Sequence, residues 1–254
     1  MPPENFGAES PVAGASGRPE NPVTVPVGQR PASRYLRPMF QSRQEAALLL
    51  AARLASHRPA RPLVLGIPRG GVVVAAIIAD SLDGDLDVAL VRKLGAPGQP
   101  ELAVGAVDEV GRVTLDATAA ELGLAAEYVV RERDRQVAAL RRRRERYTPA
   151  RPPVDPRGRT VIVVDDGVAT GATLAAALRL VRAREPLRLV AAAAVAPPPA
   201  VARLQREADE VVVLVEPEGF VAVGAYFDDF RQVGDGEVVR LLQRFGRGSE
   251  ATPS

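Results

Sequence analysis

The chain has no cysteine, one histidine, one lysine and no apolar run long enough for a membrane helix. Without cysteine there are no disulfides, no thiolate zinc sites and no thiol nucleophile. A lone histidine, His57, argues against a histidine-rich metal site and against a Ser-His-Asp triad. His57 precedes Arg58-Pro59 at an expected helix end and is read as a surface capping residue. No segment reaches the roughly 18 apolar residues of a membrane span. The opening MPPENFGAES lacks the basic start and apolar run of a secretory signal. A soluble, cytoplasmic protein with no membrane partner is expected. Charge of either sign is not in excess: 33 basic residues face 31 acidic ones, a net +2 that gives no electrostatic mandate for nucleic acid.

The 254 residues are 46% hydrophobic, enough for one substantial core or two small ones. Residues 1–37 are rich in Pro, Gly, Ser and Ala and poor in large apolar groups, so a disordered tail is expected there, with a second short one over 247–254. Residues 38–246 are expected to form the folded domain. A helix is predicted from about Gln44 to Ala55, a buried strand over Leu63 to Ile67, and a helix after PRGG. A second strand is predicted over Asp87 to Val91. After a Gly/Pro loop comes a hairpin through LAVGAV and VTL, then a long charged helix from about Ala125 to Tyr147. Strand TVIVV, helix ATLAAALRLVRA and strand LRLVAAAAV form a βαβ unit, and a helix over Ala200 to Arg206 with strand EVVVLV repeats it. Nearly continuous apolar strands alternating with helices predict an α/β fold, a parallel sheet covered on both faces. Ligands of such sheets bind at the carboxyl ends of the strands.

One strand end concentrates unusual residues: VIVVDDGVATGAT, Val161 to Thr173. Gly167 and Gly171 permit positive φ and close approach of a ligand. The amides from Ala169 to Thr173 would open onto a helix N-terminus, an anion site by geometry and dipole. Thr170 and Thr173 add hydroxyls, and Gly167, Val168 and Ala172 complete the loop. No lysine follows Gly171, so this is not the GxxxxGK[ST] loop of nucleotide triphosphatases. Asp165 and Asp166 stand just before the cradle, where carboxylates accept hydrogen bonds from a cis-diol and bind Mg²⁺ directly or through water. A ribose 5-phosphate has a diol for the acids and an anion for the loop.

Other stretches add cations and aromatics. In GIPRGGVVVA, Arg69 offers a forked cation for phosphate oxygens, and Gly70 and Gly71 let backbone amides approach. Lys93, beside Arg92, is the sole lysine among 33 basic residues. The following Gly95 to Pro100 segment suits a lid over substrate. Phe220, Tyr226, Phe227 and Phe230 gather four of the ten aromatics within eleven residues. Two readings stay open for them: stacking on an aromatic base, or core packing of a subdomain. The helix RERDRQVAALRRRRERY interleaves acids with its arginines, which favours a solvated or dimer-facing helix over nucleic-acid contact.

VIVVDDGVATGAT resembles the phosphoribosyl-pyrophosphate signature of type I phosphoribosyltransferases. The order PRGG, RK-GAPG, VDDGVATGAT and VGAYFDDF is similar to that of a small bacterial subfamily of phosphoribosyltransferase-like proteins, over roughly Met39 to Phe245. The resemblance implies the Rossmann-like type I fold with a small hood. It implies the 5-phosphate on the 167–173 loop, the ribose hydroxyls on Asp165 and Asp166, pyrophosphate on Arg69, Arg92 and Lys93, and Mg²⁺ as cofactor. Phe220, Tyr226 and Phe227 would belong to the hood over the base, and a homodimer would be usual. Ala169 departs from the hypoxanthine-guanine branch, which has an acid/base aspartate there, and Ala172 replaces that branch's lysine. The adenine branch carries its carboxylate on the mobile loop instead. Glu101, or in second place Asp108 or Glu109, would take that role. The expected activity is transfer of a phosphoribosyl group from phosphoribosyl pyrophosphate to a small-molecule nitrogen acceptor. The alternative is a regulator that senses phosphoribosyl pyrophosphate or a nucleotide without turnover.

Overall fold

The computed structural model describes residues 39–149 and 153–246. The expected tails, 1–37 and 247–254, lie outside the described residues. Ten strands and seven α-helices are described. In chain order they are β1 (Phe40–Ser42), α1 (Arg43–Arg53), β2 (Leu63–Gly66), α2 (Gly70–Ser81), β3 (Asp85–Val88), β4 (Val91–Ala96) and β5 (Gln99–Asp108). Then come β6 (Val113–Leu115), α3 (Ala117–Glu121), α4 (Ala126–Tyr147), β7 (Thr160–Asp165) and α5 (Ala172–Arg182). The chain continues through β8 (Arg188–Val195), α6 (Pro198–Leu204), β9 (Glu210–Val215), β10 (Phe227–Asp229) and α7 (Asp235–Gly246).

Five strands form a parallel sheet in the order β3-β2-β7-β8-β9. Side chains alternate across it, as strand geometry requires. Val64, Ile162, Val164, Val190 and Ala192 pack with α1 and α2 on one face. Leu65, Val161, Val163, Ala191 and Ala193 pack with α5 and α6 on the other. Burial on both faces explains why these strands read as continuous apolar runs. The strand expected over Asp87 to Val91 is placed earlier, at Asp85–Val88, and Val91 opens a new strand.

An antiparallel arm of order β4-β5-β6 stands beside the sheet, with α4 packed against it. The segment Gly95 to Pro100, expected as a lid, is the tip of this arm. Gly95 pairs with Ala103 and Ala96 with Gln99, across two register shifts. Glycine suits such a bulge, and Gly98 takes φ +72° in the turn.

A third element, the hood, joins the start of the described chain to the segment before α7: β1 lies parallel to β10, with Phe40 opposite Phe227 and Ser42 opposite Asp229. His57 is buried rather than capping at the surface; its Nε2 lies 3.1 Å from Glu210 Oε2. No helix among the described residues is long and apolar enough to cross a membrane.

Candidate active site

The carboxyl end of β7 gathers the two loops singled out in the sequence. Asp165 closes the strand and Asp166 turns away from it, its amide donating to Asp165 Oδ1 at 2.9 Å. The PRGG loop follows β2, the neighbour of β7, and Ile67 N donates to Val164 O at 2.8 Å. Gly70 and Gly71 pack directly on the acidic pair. A Cβ on Gly70 would lie 1.9 Å from Asp166 Oδ2, and one on Gly71 would lie 2.6 Å from Val164 O. Only glycine allows this approach. Arg69 is half-buried at the start of α2, and the Pro68–Arg69 peptide is cis.

Beyond the acids the chain passes over the end of β8. Val168 N donates to Val195 O at 2.8 Å, and the Val168 side chain is buried beneath α5. Val168 therefore lends the loop an anchor rather than a surface. Gly167 fits against Val223 of the hood, where a Cβ would meet Val223 Cγ1 at 2.3 Å. Gly171 takes φ +76° and caps α5 beside Ala200. Ala169, Thr170 and Thr173 are exposed around the N-terminus of α5. The first amides of a helix have no intrahelical acceptor, so this open loop is built for an anion.

The two carboxylates are inequivalent. Burial pushes Asp165 well above the usual carboxylate range, and the adjacent charge of Asp166 adds to the shift. Asp166 is buried, and Arg43 Nε donates to its Oδ2 at 2.7 Å. Arg43, on the first turn of α1, was not among the expected site residues. It lies 123 positions from Asp166 in sequence, and no local motif marks it.

The other expected residues divide. Lys93 is exposed and lines a cleft of about 480 Å³ with Ala172 and Ala176 of α5. Arg92 is exposed, and its Nη1 donates to Gln136 Oε1 of α4 at 3.2 Å. Glu101 lies on β5, and its side chain is outside the described residues. Asp108 is occupied: its Oδ1 accepts from Val110 N and Arg112 N at 3.0 and 2.9 Å. Glu109 forms a buried ion pair with Arg144. Both acids serve the β5–β6 turn and the arm's attachment to α4, which removes the geometric ground for Asp108 or Glu109 as an acid/base. Burial raises both above the usual carboxylate range, against the pull of the Arg112 amide and of Arg144 respectively.

Of the two readings of the aromatic cluster, the packing favours the hood core. Tyr226 and Phe227 are 1% and 4% exposed. Phe220 stacks on Tyr226 at 5.9 Å between centroids, and Phe227 stacks on Phe230 at 5.0 Å. Their faces are spent on one another and on Phe40.

The donor set is spare for a metal. Among the described residues no group of three or more His, Cys, Asp or Glu could hold an ion. Two adjacent carboxylates fit Mg²⁺, which keeps several waters and takes much of its shell from substrate oxygens.

The family profile described as a phosphoribosyl transferase domain matches residues 42–228. The chain belongs to this phosphoribosyl transferase family. A protein of Mycobacterium tuberculosis, provisionally named a phosphoribosyl transferase, is 44% identical over 210 residues, 82% of this chain and 47% of that protein. The chain thus spans about half the length of the curated relatives it matches first. An adenine phosphoribosyltransferase of Mycolicibacterium paratuberculosis is 31% identical over 160 residues, 62% of this chain and 69% of that enzyme. The crystal structure of TT1426 from Thermus thermophilus superposes with a TM-score of 0.75 at 50% identity, covering 81% of this chain and 98% of that one. The parallel α/β sheet expected from the strand pattern, and the type I fold that the resemblance implied, are the fold found.

Proposed function

We propose that this protein is a phosphoribosyltransferase that binds phosphoribosyl pyrophosphate with Mg²⁺ and passes the phosphoribosyl group to a nitrogen acceptor of nucleobase type, releasing pyrophosphate. The observation that carries the reading is the convergence of three pieces at one strand end: a glycine-lined cationic loop, a pair of acids, and an open helix N-terminus. They match a ligand with pyrophosphate, diol and 5-phosphate in that order. The adenine phosphoribosyltransferase among the relatives supports a base as acceptor.

The nitrogen attacks ribose C1, the C1–O bond to pyrophosphate breaks, and configuration inverts. No protein nucleophile is needed; the site orients its ligand and offsets developing charge. Amides and hydroxyls of residues 169–173 would hold the 5-phosphate, and Asp165 and Asp166 the ribose hydroxyls. Arg69, Arg92 and Lys93 would face the leaving group. Mg²⁺, when bound, would neutralise pyrophosphate charge, with Asp165 and Asp166 as its protein-side partners. Glu101 is the residue proposed to manage the acceptor proton.

A panel of nucleobases with phosphoribosyl pyrophosphate and Mg²⁺, followed by pyrophosphate release, tests this. Steady release with at least one base is expected, and an Asp165→Asn/Asp166→Asn variant should bind phosphoribosyl pyrophosphate at least about tenfold more weakly. Tight binding with no release from any base would instead favour the sensing regulator.

A further inference from the structure

Arg43 is assigned no part in the proposed transfer step, yet it is held from three sides near the site. Its side chain is only 10% exposed. Asp166 Oδ2 accepts from its Nε at 2.7 Å, and Arg231 O accepts from Nη1 at 2.9 Å. The Phe230 ring lies 3.8 Å from the guanidinium carbon. Asp166 belongs to the acidic pair, whereas Phe230 and Arg231 follow β10 in the hood. The same Asp166 oxygen touches Gly70 of the PRGG loop, so one carboxylate joins loop, acids and hood.

The chemistry of the side chain fits this joint. A guanidinium is planar and forked, so it can bond a carboxylate and a carbonyl at once while presenting a face to an aromatic ring. A lysine could keep the charge pair but not all three contacts. The hood also has its own means of attachment, through the β1–β10 pairing and its aromatic core. Arg43 is therefore not needed merely to keep the hood folded.

We propose that Arg43 is a positioning residue that latches the hood to the acidic pair. It holds Asp166 in place for the ribose through Nε and fixes the hood through its contacts with Arg231 and Phe230, so that one side chain serves both through separable contacts. This rests on reading Asp165 and Asp166 as the ribose-binding acids.

The test measures two quantities in the full chain. One is affinity for phosphoribosyl pyrophosphate with Mg²⁺ by calorimetry; the other is amide hydrogen exchange over residues 220–231. Arg43→Ala should weaken affinity about tenfold and raise hood exchange. Arg43→Lys should recover most of the affinity but not the hood protection, because it restores charge to Asp166 and loses the fork to Arg231. A purely stabilising ion pair would not split the two readouts; both would follow global stability. Should Arg43→Ala fail to fold, Arg43→Lys and Phe230→Leu decide. Each is expected to loosen the hood while retaining affinity. The latch is overturned if Arg43→Lys leaves both quantities at wild-type values or loses both together. Undiminished affinity in Asp165→Asn/Asp166→Asn would sink the site reading itself. That result is distinct from failure of the latch, in which the double variant loses affinity and Arg43→Ala does not.

Discussion

At the scale of single residues, the site depends on side chains that are absent. Gly71 lets α2 begin against the end of β7, where a Cβ would meet Val164 O at 2.6 Å and Asp165 Cα at 3.0 Å. Neither neighbour is the flexible end of a side chain, so relief must come from moving the loop. Gly71→Ala should cost about 1–3 kcal/mol, the usual penalty of overpacking. It should also displace the PRGG loop from the acids and weaken binding of phosphoribosyl pyrophosphate. Gly219→Ala is the matched control, since nothing lies within 4 Å of its Cβ position. Urea unfolding and calorimetry on the two variants check this; equal effects at both positions would defeat the argument. The glycines, the paired acids and the threonines were all legible in the sequence, because each motif is contiguous. Arg43 was not, because its partner Asp166 meets it only through the packing of α1 and the hood.

At the scale of elements, α4 shows how a legible helix can hide its decisive residue. The charged stretch ending at Tyr147 reads as a helix, and the helix found runs from Ala126 to Tyr147. Within RRRRER, the sequence gives no reason to prefer one arginine. The structure buries Arg144 alone of the four consecutive arginines, donating to Asp87 Oδ1 at 2.6 Å and to both carboxylate oxygens of Glu109. Asp87 is on β3 and Glu109 follows β5, so this guanidinium ties the sheet, the arm and α4 together. Removing it strips a buried counter-charge from Glu109 and one of the partners of Asp87, and Arg144→Ala should cost about 3–5 kcal/mol. Arg142→Ala, at an exposed position of the same helix, should stay within about 0.5 kcal/mol. Denaturant midpoints of the two variants measure the contrast. The arm itself was half legible: its hairpin was expected, but pairing through Gly95 and Ala96 was masked by the glycines and prolines of the tip.

At the scale of the molecule, the parallel sheet followed from the apolar strands, but neither strand order nor hood closure did. Both depend on pairings between distant segments, such as Phe40 with Phe227, that leave no local pattern. The same long-range contacts set how stability responds to acid. Asp235, at the start of α7, accepts from Tyr147 Oη at 2.8 Å and from Arg146 at 2.7 Å, joining α7 to α4. Asp209 pairs with Arg182 and accepts from Leu189 N at 2.7 Å, joining the turn before β9 to α5 and β8. The Tyr147 hydrogen bond, then Arg146, holds Asp235 below the usual carboxylate range; the hydrogen bond from Arg182 leads in doing the same for Asp209. A carboxylate whose pKa is lower in the folded chain binds fewer protons there than in the unfolded chain. Its stabilisation is complete above the unfolded value, about 4, and disappears as pH falls through the folded one. Both groups are partly exposed, so solvent screens the effect and added salt should shrink it. The double variant Asp209→Asn/Asp235→Asn should therefore be less stable than wild type at pH 6. The two stability curves should converge as pH drops below about 4, where the wild-type carboxylates are themselves protonated. Thermal unfolding at stepped pH, at low and high salt, reads this directly. Curves that stay parallel down to acid pH would show that these two links between helices and sheet do not govern the acid limb.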